Sequence, residues 1–338
     1  MAIHSVGIDI AKTVFHLVAL DEKGGVVTKK KFSRSQLLVY TASLKADVIG
    51  MEACSGAHFL ARALVDQGHK VRLMPAEYVR PYVKSNKNDF IDAEAIAEAV
   101  LRPSMRFVPV KTDEQLDLQA LHRVRERWIQ RRVALVNQIR GFLLERGIPM
   151  RVGAEHLRKN LPAVLENAEN GLTGRARTLL LALREEWVEL EKKICAMTEE
   201  IGRISRSNEG CRRLMGVPGI GPIISTALVA AVGNATAFRK GRDFAAWLGL
   251  VPRQHSSGGK QTLLGISKRG NQYLRKLLVE GARAAFARLN RGQHCFGPWM
   301  NQLGEKKHSN VAVVALANKL ARIAWAVLAT GQQYRAAT

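Results

Sequence analysis

Four acidic residues among the first hundred positions could build a metal-dependent centre for phosphodiester chemistry. Asp9 ends the first apolar run, in GIDIAK, and Glu52 follows the fourth, in GMEACSG. Asp89 and Asp92 lie three residues apart in KNDFIDAEAIA, which places both carboxylates on one face at the start of a helix. If the first and fourth strands are neighbours in one sheet, the four side chains converge at one edge of that sheet.

The pattern of these acids points to a divalent cation. Carboxylates brought close together repel one another, and a cation relieves that repulsion. Oxygen ligands favour Mg²⁺, with Mn²⁺ as the alternative, and two such ions about 3.5–4 Å apart can activate an attacking oxygen and stabilise a leaving one. Each acid alone also fits a turn residue, a neighbour of a helix N-cap or an acid near the helix dipole. Together, in the order strand Asp, strand Glu, helix Asp-x-x-Asp, they predict nuclease-type chemistry.

The segment just before this helix offers further candidates for phosphate contact, because the start of a helix attracts anions. The candidates are Lys84, Asn86, Lys87 and Asn88. The alternative is that these polar side chains only solvate a loop.

A second candidate site is a pair of serines. Ser256 and Ser257 precede two glycines, so either hydroxyl lies on backbone that another molecule can approach closely. Arg253 and Lys260 flank the pair and are available to bind phosphate. A flexible polar turn is the alternative. A Ser-His-Asp triad is not supported, because His255 is only a neighbour in sequence.

Residues 214–233, LMGVPGIGPIISTALVAAVG, predict a helix-hairpin-helix element. An apolar helix end precedes a tight turn containing Gly219 and Gly221, and a helix of small residues begins near Ile223. Glycines in such a turn let backbone N–H groups approach a DNA phosphate without reading its sequence. A plain turn between two helices is the alternative.

Positive charge is concentrated in the C-terminal part of the chain. The protein has 52 Lys and Arg against 29 Asp and Glu, a net charge of +23, and residues 201–338 hold 21 basic and only four acidic side chains. Lys268 and Arg269 lead into a basic helix that includes Arg275. A one-sign concentration of this size attracts a polyanion by counterion release, so we expect a nucleic acid partner. One alternative is a basic surface without a specific ligand. Another is binding to an acidic membrane, but no basic amphipathic helix with an aromatic face stands out in the sequence to support it.

The order of predicted elements indicates an α/β region followed by helices. Strands are predicted over 3–10, 14–20, 26–32, 47–51 and 70–74, and helices over 35–44, 57–67, 89–101, 113–146 and 176–205. The last of these has a heptad-like seam that can pack within one chain or between chains. The seam consists of Leu179, Leu183, Trp187, Leu190, Ile194, Met197 and Ile201. From Cys211 onward the pattern is helical with glycine-rich breaks.

We therefore predict three domains, over residues 1–148, 149–207 and 208–338. Hydrophobic residues make up 47% of the 338, which argues against disorder. The cysteines lie far apart, which indicates neither zinc nor a disulfide framework and fits a reducing cytosol. They are Cys54, Cys195, Cys211 and Cys295. The N-terminus is unlike a signal peptide, and Lys319 and Arg322 interrupt the apolar stretch 311–329, so we expect a cytoplasmic, nucleoid-associated protein with no membrane partner.

Over nearly its full length the chain resembles the DEDD transposases of bacterial insertion sequences, which join a RuvC-like domain to a serine-bearing transposase domain. The resemblance rests on five motifs in order: GIDIAK, GMEACSG, KNDFIDAEAIA, VPGIGPIISTALVAAVG and GLVPRQHSSGGKQTLLGISKRGNQYLRKLL. The Asp-x-x-Asp block and the SSGGK…SKRGN block are the most diagnostic, whereas the glycine hairpin occurs in many DNA-binding proteins.

The resemblance implies a ribonuclease-H-like N-terminal fold, a helical coiled-coil connector and a mainly helical C-terminal domain. It implies that Asp9, Glu52, Asp89 and Asp92 are the metal-binding tetrad and that a serine of the SSGGK loop is the nucleophile on DNA. We assign that role to Ser257, with Ser256 as the alternative. It also implies a homo-oligomer, dimer to tetramer, in which the tetrad of one subunit works with the serine of another, and in some members a guide RNA from the element's own end.

Three other functions compete with this one. A structure-specific nuclease such as a junction resolvase would use the same tetrad with water as nucleophile, which leaves the serine loop unexplained. An actin-like or sugar-kinase ATPase would need glycine-rich phosphate loops in a second, similar half, whereas the C-terminal half is basic and helical. A non-catalytic DNA- or RNA-binding module would be indifferent to Mg²⁺ and to the loss of Asp9.

Overall fold

A five-stranded mixed sheet is the centre of the N-terminal unit in the computed structural model, which describes residues 2–84, 88–289, 292 and 296–336. Its strands are β1 (Ile3–Ile10), β2 (Phe15–Leu20), β3 (Val26–Phe32), β4 (Ala46–Glu52) and β5 (Val71–Met74). They lie in the order β3-β2-β1-β4-β5. β1 pairs antiparallel with β2, and β2 with β3, whereas β1 and β4 run parallel, as do β4 and β5. The predicted order βββαβαβ is confirmed, and the first and fourth strands are neighbours.

The chain divides into two compact units, Met1–Asp113 and Glu114–Thr338. The functional division into residues 1–148, 149–207 and 208–338 stays a prediction. The fourth cysteine, Cys295, lies outside the described residues, and the other three are free thiols.

The helices of the N-terminal unit are α1 (Arg34–Ala42), α2 (Ala57–Asp66), α3 (Ala76–Val79) and α4 (Asp89–Ala99), with a 3₁₀ turn at Arg80–Tyr82. A capping box begins α1: the Ser33 hydroxyl accepts from the backbone N–H of Gln36, whose side chain accepts from the Ser33 N–H. The side chain of Asn88 caps α4 by accepting from the N–H of Phe90. This cap sets the start of α4 at Asp89.

Helix α4 packs directly on β1 and β2. The hydroxyl of Ser5 donates to the carbonyl of Ala97 over 2.9 Å, and both groups are buried. A Cβ added to Gly7 would lie 2.0 Å from the Ala93 carbonyl oxygen and 2.5 Å from the Ala97 nitrogen. Gly7 is therefore what allows the helix backbone to approach the strand.

Hydropathy explains why β1 and β2 lie inside the sheet and β3 lies at its edge. The apolar residues of β1 and β2 are buried on both faces, as expected for inner strands, whereas β3 carries Lys29, Lys30 and Lys31 and lies at the edge. Lysines on an edge strand oppose pairing with another sheet.

The C-terminal unit contains nine described helices and one hairpin. The helices are α5 (Asp113–Leu144), α6 (Ala154–Glu166), α7 (Gly174–Ser207), α8 (Glu209–Met215), α9 (Pro222–Val232), α10 (Gly241–Trp247), α11 (Gln272–Arg288), α12 (Gly297–Lys306) and α13 (Ser309–Thr330), and the hairpin strands are β6 (Pro252–Ser257) and β7 (Lys260–Ile266). Its main core is formed by α8 to α11 and α13.

The seam of α7 packs within the chain, against α5 and α6. Trp187, Leu190, Ile194 and Ile201 are buried as predicted, but Leu179 is 53% exposed. Leu180 takes its place, in a buried cluster with Leu135, Val136, Ile139 and Leu143 of α5 and with Leu157 and Leu161 of α6. The prediction that Leu179 is buried was wrong. Helices α5 and α6 both cover the N-terminal part of α7, and they contact the face that carries Leu180.

The helical prediction beyond Cys211 was wrong for residues 252–266, which form the β6–β7 hairpin. Its turn consists of Gly258 and Gly259, both with positive φ, as a two-residue hairpin turn requires. The strands show no burial alternation because nearly every residue in them is exposed. The signal that favours a hairpin was therefore the Gly-Gly turn alone.

One described helix, α13, is long and apolar enough to cross a membrane. About half of its most apolar part is buried inside the protein, which is typical of the core helix of a globular unit. The ammonium of Lys319 on this helix lies over the rings of Phe296 and Trp299, at 4.5 and 4.6 Å from their centroids.

We expect Gly7→Ala to destabilise the protein by about 3 kcal/mol, the upper end for overpacking, because the methyl group meets helix backbone that cannot rotate away. Urea unfolding followed by circular dichroism measures this. The control is Gly141→Ala in α5, where nothing lies within 4 Å of the new methyl, and we expect it to stabilise by roughly 0.5–1 kcal/mol. Equal effects of the two substitutions would contradict the close approach of α4 to β1.

Stability should fall in acid through His122, which is buried between α5, α9 and α11. Burial, and secondarily the charge of Arg125, lowers the pKa of His122 to about 4 from 6.5. The unfolded chain therefore binds more protons between pH 6.5 and 4, and the free energy of unfolding falls by roughly 3 kcal/mol as the pH drops through that window. Urea unfolding at pH 7 and pH 4.5 measures the drop, which should be smaller in His122→Gln. An unchanged drop in that variant would contradict the assignment.

Candidate functional site

Parallel pairing of β1 with β4 brings the two strand acids together. The register pairs Ile8 with Met51, so Asp9 and Glu52 follow at the same level on adjacent strands. Both lie at the carboxyl ends of their strands, and each is partly buried. The sheet thus places two carboxylates side by side, as predicted from the order of the strands.

Helix α4 brings the other two acids to the same place. Asp89 and Asp92 stand in its first turn. Burial raises the pKa of Asp9, and the charges of Asp92 and Asp89 raise it further. Burial likewise raises the pKa of Glu52, followed by the charges of Asp9 and Asp92. Asp9 thus interacts electrostatically with Glu52, Asp89 and Asp92, and we refer to the four residues as the acidic cluster.

The acidic cluster fits a divalent cation by the chemistry of its donors. Four carboxylates offer only oxygen ligands, which Mg²⁺ and Mn²⁺ prefer, and a cation would replace their mutual repulsion by attraction. In the part of the chain that the structure describes, no three His, Cys, Asp or Glu side chains already stand close enough to hold a metal ion. The fold thus brings the four carboxylates to one edge of the sheet without a formed ligand set among the described side chains.

His16 is a residue of this site that the sequence did not suggest. It lies on β2 directly opposite Asp9, and its Nδ1 is 3.6 Å from a carboxylate oxygen of Asp89. The imidazole is buried, its ring packs edge-on against Phe90, and Nδ1 has no hydrogen-bond partner among the described residues. The feature that places His16 at this site is the antiparallel register of β1 and β2, in which it pairs with Asp9. That register cannot be predicted until the turn between the two strands is known.

The polar residues before α4 have structural roles where the structure describes them. Asn88 is the N-cap of the helix, and the ammonium of Lys84 lies 3.2 Å from Glu98 and 3.8 Å from Glu94. The other two predicted phosphate ligands, Asn86 and Lys87, lie outside the described residues.

The two serines occupy the tip of the β6–β7 hairpin, and their hydroxyls differ in their contacts. The hydroxyl of Ser256 accepts from the side-chain amide of Gln254 over 2.8 Å. The hydroxyl of Ser257 makes no hydrogen bond to any described residue, and Ser257 pairs with Lys260 across the turn. Of the two, Ser257 is the one free to approach another molecule.

The base of the hairpin is held firmly. A Cβ on Gly249 would lie 2.2 Å from the carbonyl oxygen of Arg269, and one on Gly270 would lie 1.8 Å from that of Trp247. The guanidinium of Arg275 donates to the carbonyls of Leu248 and Arg269, over 3.0 and 2.8 Å. Arg275, predicted to bind nucleic acid, therefore joins the segments before and after the hairpin.

The other predicted basic contacts lie on the exposed part of this region. Arg253 and Lys260 are exposed on the two strands, and Lys268 and Arg269 are exposed in the loop after β7. Lys268 has a positive φ of 55°, and its N–H donates to the carbonyl of Gly249. These four side chains are available to a phosphate backbone.

The two glycines of the turn before α9 face different surroundings. Gly219 has a φ of +88°, and a Cβ there would lie 2.7 Å from the carbonyl oxygen of Gly281 on α11. Nothing lies within 4 Å of a Cβ added to Gly221. Gly219 therefore packs the turn against α11, whereas Gly221 and the start of α9 stay open to a phosphate.

Comparisons with known proteins agree with this organisation. The model of the DEDD transposase family of the IS110 type matches residues 6–147, and the model described as "Transposase IS116/IS110/IS902 family" matches residues 211–295. The first span contains the acidic cluster. The second contains the turn with Gly219 and Gly221, which we call the glycine turn, and the β6–β7 hairpin with Ser256 and Ser257, which we call the serine hairpin.

Three relatives match along almost all of the chain. The transposase for insertion sequence element IS1111A of Coxiella burnetii is 44% identical over 97% of this chain and 90% of its own length. A probable family 20 transposase of Pseudomonas aeruginosa is 44% identical over 99% of both chains. The transposase for insertion sequence element IS1328 of Yersinia enterocolitica is 44% identical over 96% of this chain and 97% of its own.

We expect Arg275→Met to loosen the base of the hairpin, because two carbonyls lose their charged donor. Hydrogen exchange at the amides of Ser267 and Lys268 should become about 10-fold faster or more, the effect of losing one hydrogen bond to a charged group. Arg253→Met, which removes the same charge from an exposed strand position, should leave those amides unchanged. Unchanged exchange in Arg275→Met together with weaker DNA binding would instead make Arg275 a DNA contact.

Proposed function

Because the chain belongs to the IS110/IS116 family of insertion-sequence transposases, enzymes that cleave and rejoin DNA, we propose that its acidic cluster and its serine hairpin act on the same DNA phosphodiester. The observation that supports this most directly is the gathering of four carboxylates by β1, β4 and α4. A cluster of like charges is costly to hold together and is found where a cation and a phosphate are to be bound.

Asp9, Glu52, Asp89 and Asp92 would hold Mg²⁺, or Mn²⁺ in its place. The bound ion would supply Lewis-acid polarisation of the scissile phosphate. The four carboxylates would be the protein ligands of the ion and would compensate its positive charge. His16 lies beside this set, with its Nδ1 3.6 Å from the carboxylate of Asp89.

Ser257 is the proposed nucleophile. Its oxygen forms a bond to phosphorus while the bond from phosphorus to the leaving sugar oxygen breaks, and that oxygen takes up a proton as the serine gives one to solvent. The resulting phosphoserine keeps the energy of the phosphodiester. Attack by a second sugar hydroxyl reverses the step, joins the new strand and restores the serine without an external energy source.

Two features support Ser257 over Ser256. The Ser257 hydroxyl has no partner among the described residues, whereas Gln254 holds that of Ser256. Ser257 is also next to the Gly-Gly turn, where no side chain obstructs the approach of a phosphate. Arg253, Lys260, Lys268 and Arg269 would contact the neighbouring DNA backbone, and the start of α9 at Gly221 would bind a further phosphate.

The resemblance to the wider family also suggests which partners this protein has. We propose a homo-oligomer, dimer to tetramer, in which the serine of one copy serves the acidic cluster of another, and an RNA from the element that guides the choice of DNA. Such a protein would work at the nucleoid. Sequencing of RNA that copurifies with the protein tests the guide, and its absence would leave the DNA chemistry unaffected.

Ser257→Ala should abolish the covalent link between protein and DNA while leaving DNA affinity unchanged. A labelled DNA carrying the element ends, incubated with Mg²⁺ and run under denaturing conditions, measures the link. Ser256→Ala is the matched control and should retain it. If the link persists in Ser257→Ala and vanishes in Ser256→Ala, the roles are reversed; cleavage without any link would indicate water as nucleophile.

Asp92→Asn should weaken Mn²⁺ binding about 10-fold or more, since it removes one charged ligand. Electron paramagnetic resonance of free Mn²⁺ measures this without any turnover. Asp66→Asn on the exposed side of α2 removes the same charge and should bind Mn²⁺ as the unmodified protein does. Equal weakening by both would contradict a metal site in the acidic cluster.

A further inference from the structure

The C-terminal unit contains a cleft of about 400 Å³ that neither the acidic cluster nor the serine hairpin uses. It lies between one face of α5, one face of α9 and the start of α11. Its volume is in the range of pockets that hold small organic ligands.

The floor of the cleft is apolar. It consists of Ala227, Ala230 and Ala231, which share one face of α9, and we call it the alanine floor. Alanines leave depth where longer side chains would fill the space. The apolar face of a nucleobase can be buried against such a surface.

The rim of the cleft is polar and carries uncompensated positive charge. Gln119, Arg123, Arg127 and Gln130 follow one another along one face of α5. None of the four makes an ion pair or a side-chain hydrogen bond with the residues that the structure describes. The one acid in the lining, Glu126, is neutralised by Lys276, whose ammonium lies 2.7 Å away. Two unpaired guanidinium groups and two free amides are suited to a phosphate and to the edge of a base.

One wall of the cleft is fixed by a buried network. The hydroxyl of Thr226 donates to the carbonyl of Pro222 over 2.6 Å, so its oxygen accepts from His122 Nε2 over 2.9 Å. His122 Nδ1 is then the acceptor for the hydroxyl of Tyr273, 3.0 Å away. This chain of bonds joins α5, α9 and α11 and holds the Tyr273 ring in place before any ligand arrives.

We propose that the cleft holds one unpaired nucleotide of a single-stranded nucleic acid, with its base on the alanine floor and its phosphate at Arg123 and Arg127. The position favours a strand over a free nucleotide. Asn271 lines the cleft, and it is only two residues, at most about 7 Å of chain, from the exposed Arg269. A strand whose backbone contacted Lys268 and Arg269 would therefore pass close to the cleft. A paired base cannot enter, because its edge is covered by its partner.

The proposal is independent of the nucleophile and of the metal, so it is tested by binding in EDTA. Full-length protein is titrated into fluorescein-labelled dT₈ and U₈, and binding is followed by anisotropy at several salt concentrations. The double variant Arg123→Gln, Arg127→Gln should bind at least about 10-fold more weakly. The slope of log affinity against log salt should fall by about 0.7 for each phosphate that the variant no longer neutralises.

Two further variants distinguish binding in the cleft from a general effect of positive charge on oligonucleotide affinity. Arg146→Gln with Arg151→Gln removes the same charge from exposed positions outside the cleft and should bind within about twofold of the unmodified protein. Ala231→Leu fills the cleft without changing charge and should weaken binding. Crosslinking of a central 5-iodouracil to the peptide containing Tyr273 should be lost in both cleft variants. Equal weakening by the two arginine pairs, or unchanged binding by Ala231→Leu, would overturn the proposal.

The two oligonucleotides identify the source of the nucleotide. Tighter binding of U₈ assigns the cleft to RNA, and tighter binding of dT₈ assigns it to an unpaired DNA strand. Equal binding supports a cleft that recognises the base and phosphate common to both.

Discussion

Repulsion among four carboxylates is the constraint on which the N-terminal unit depends. Asp9, Glu52, Asp89 and Asp92 come from three separate elements, and their proximity contributes to the raised pKa values of Asp9 and Glu52. Hydrophobic packing of α4 on β1, made possible by Gly7, provides the free energy that keeps them together. The core of this unit therefore supports an arrangement that is unfavourable by itself and that a bound cation would relieve.

The sheet and the carboxylates could be predicted because their signals are local and agree with one another. Inner strands are apolar on both faces, Asn88 caps the helix at the residue before Asp89, and the Asp-x-x-Asp spacing already fixes one face of α4. The one long-range condition, that β1 and β4 are neighbours, was left open by the sequence, because a helical crossover after β3 sets the direction of β4 but not its neighbour; the structure supplies it.

The remaining features depend on contacts between distant residues. The β6–β7 hairpin has no buried face, so its strands carry no periodicity, and only Gly258-Gly259 indicated its turn. Arg275 lies on a basic helix, a pattern typical of a nucleic-acid contact, yet its guanidinium is used by two carbonyls that precede it in the chain by up to 27 residues. Likewise, the choice of Leu180 over Leu179 depends on two other helices.

The close contact of Gly219 with Gly281 gives α11 a mechanical role. This helix begins beside the loop that ends the hairpin, holds that loop through Arg275, and meets the glycine turn before α9 at Gly281. The turn that contains Gly219 and the base of the β6–β7 hairpin are thus attached to one continuous helix, through Gly281 and Arg275. If a DNA phosphate binds at the turn as proposed, a displacement of the turn would also move the base of the hairpin, because α11 holds both.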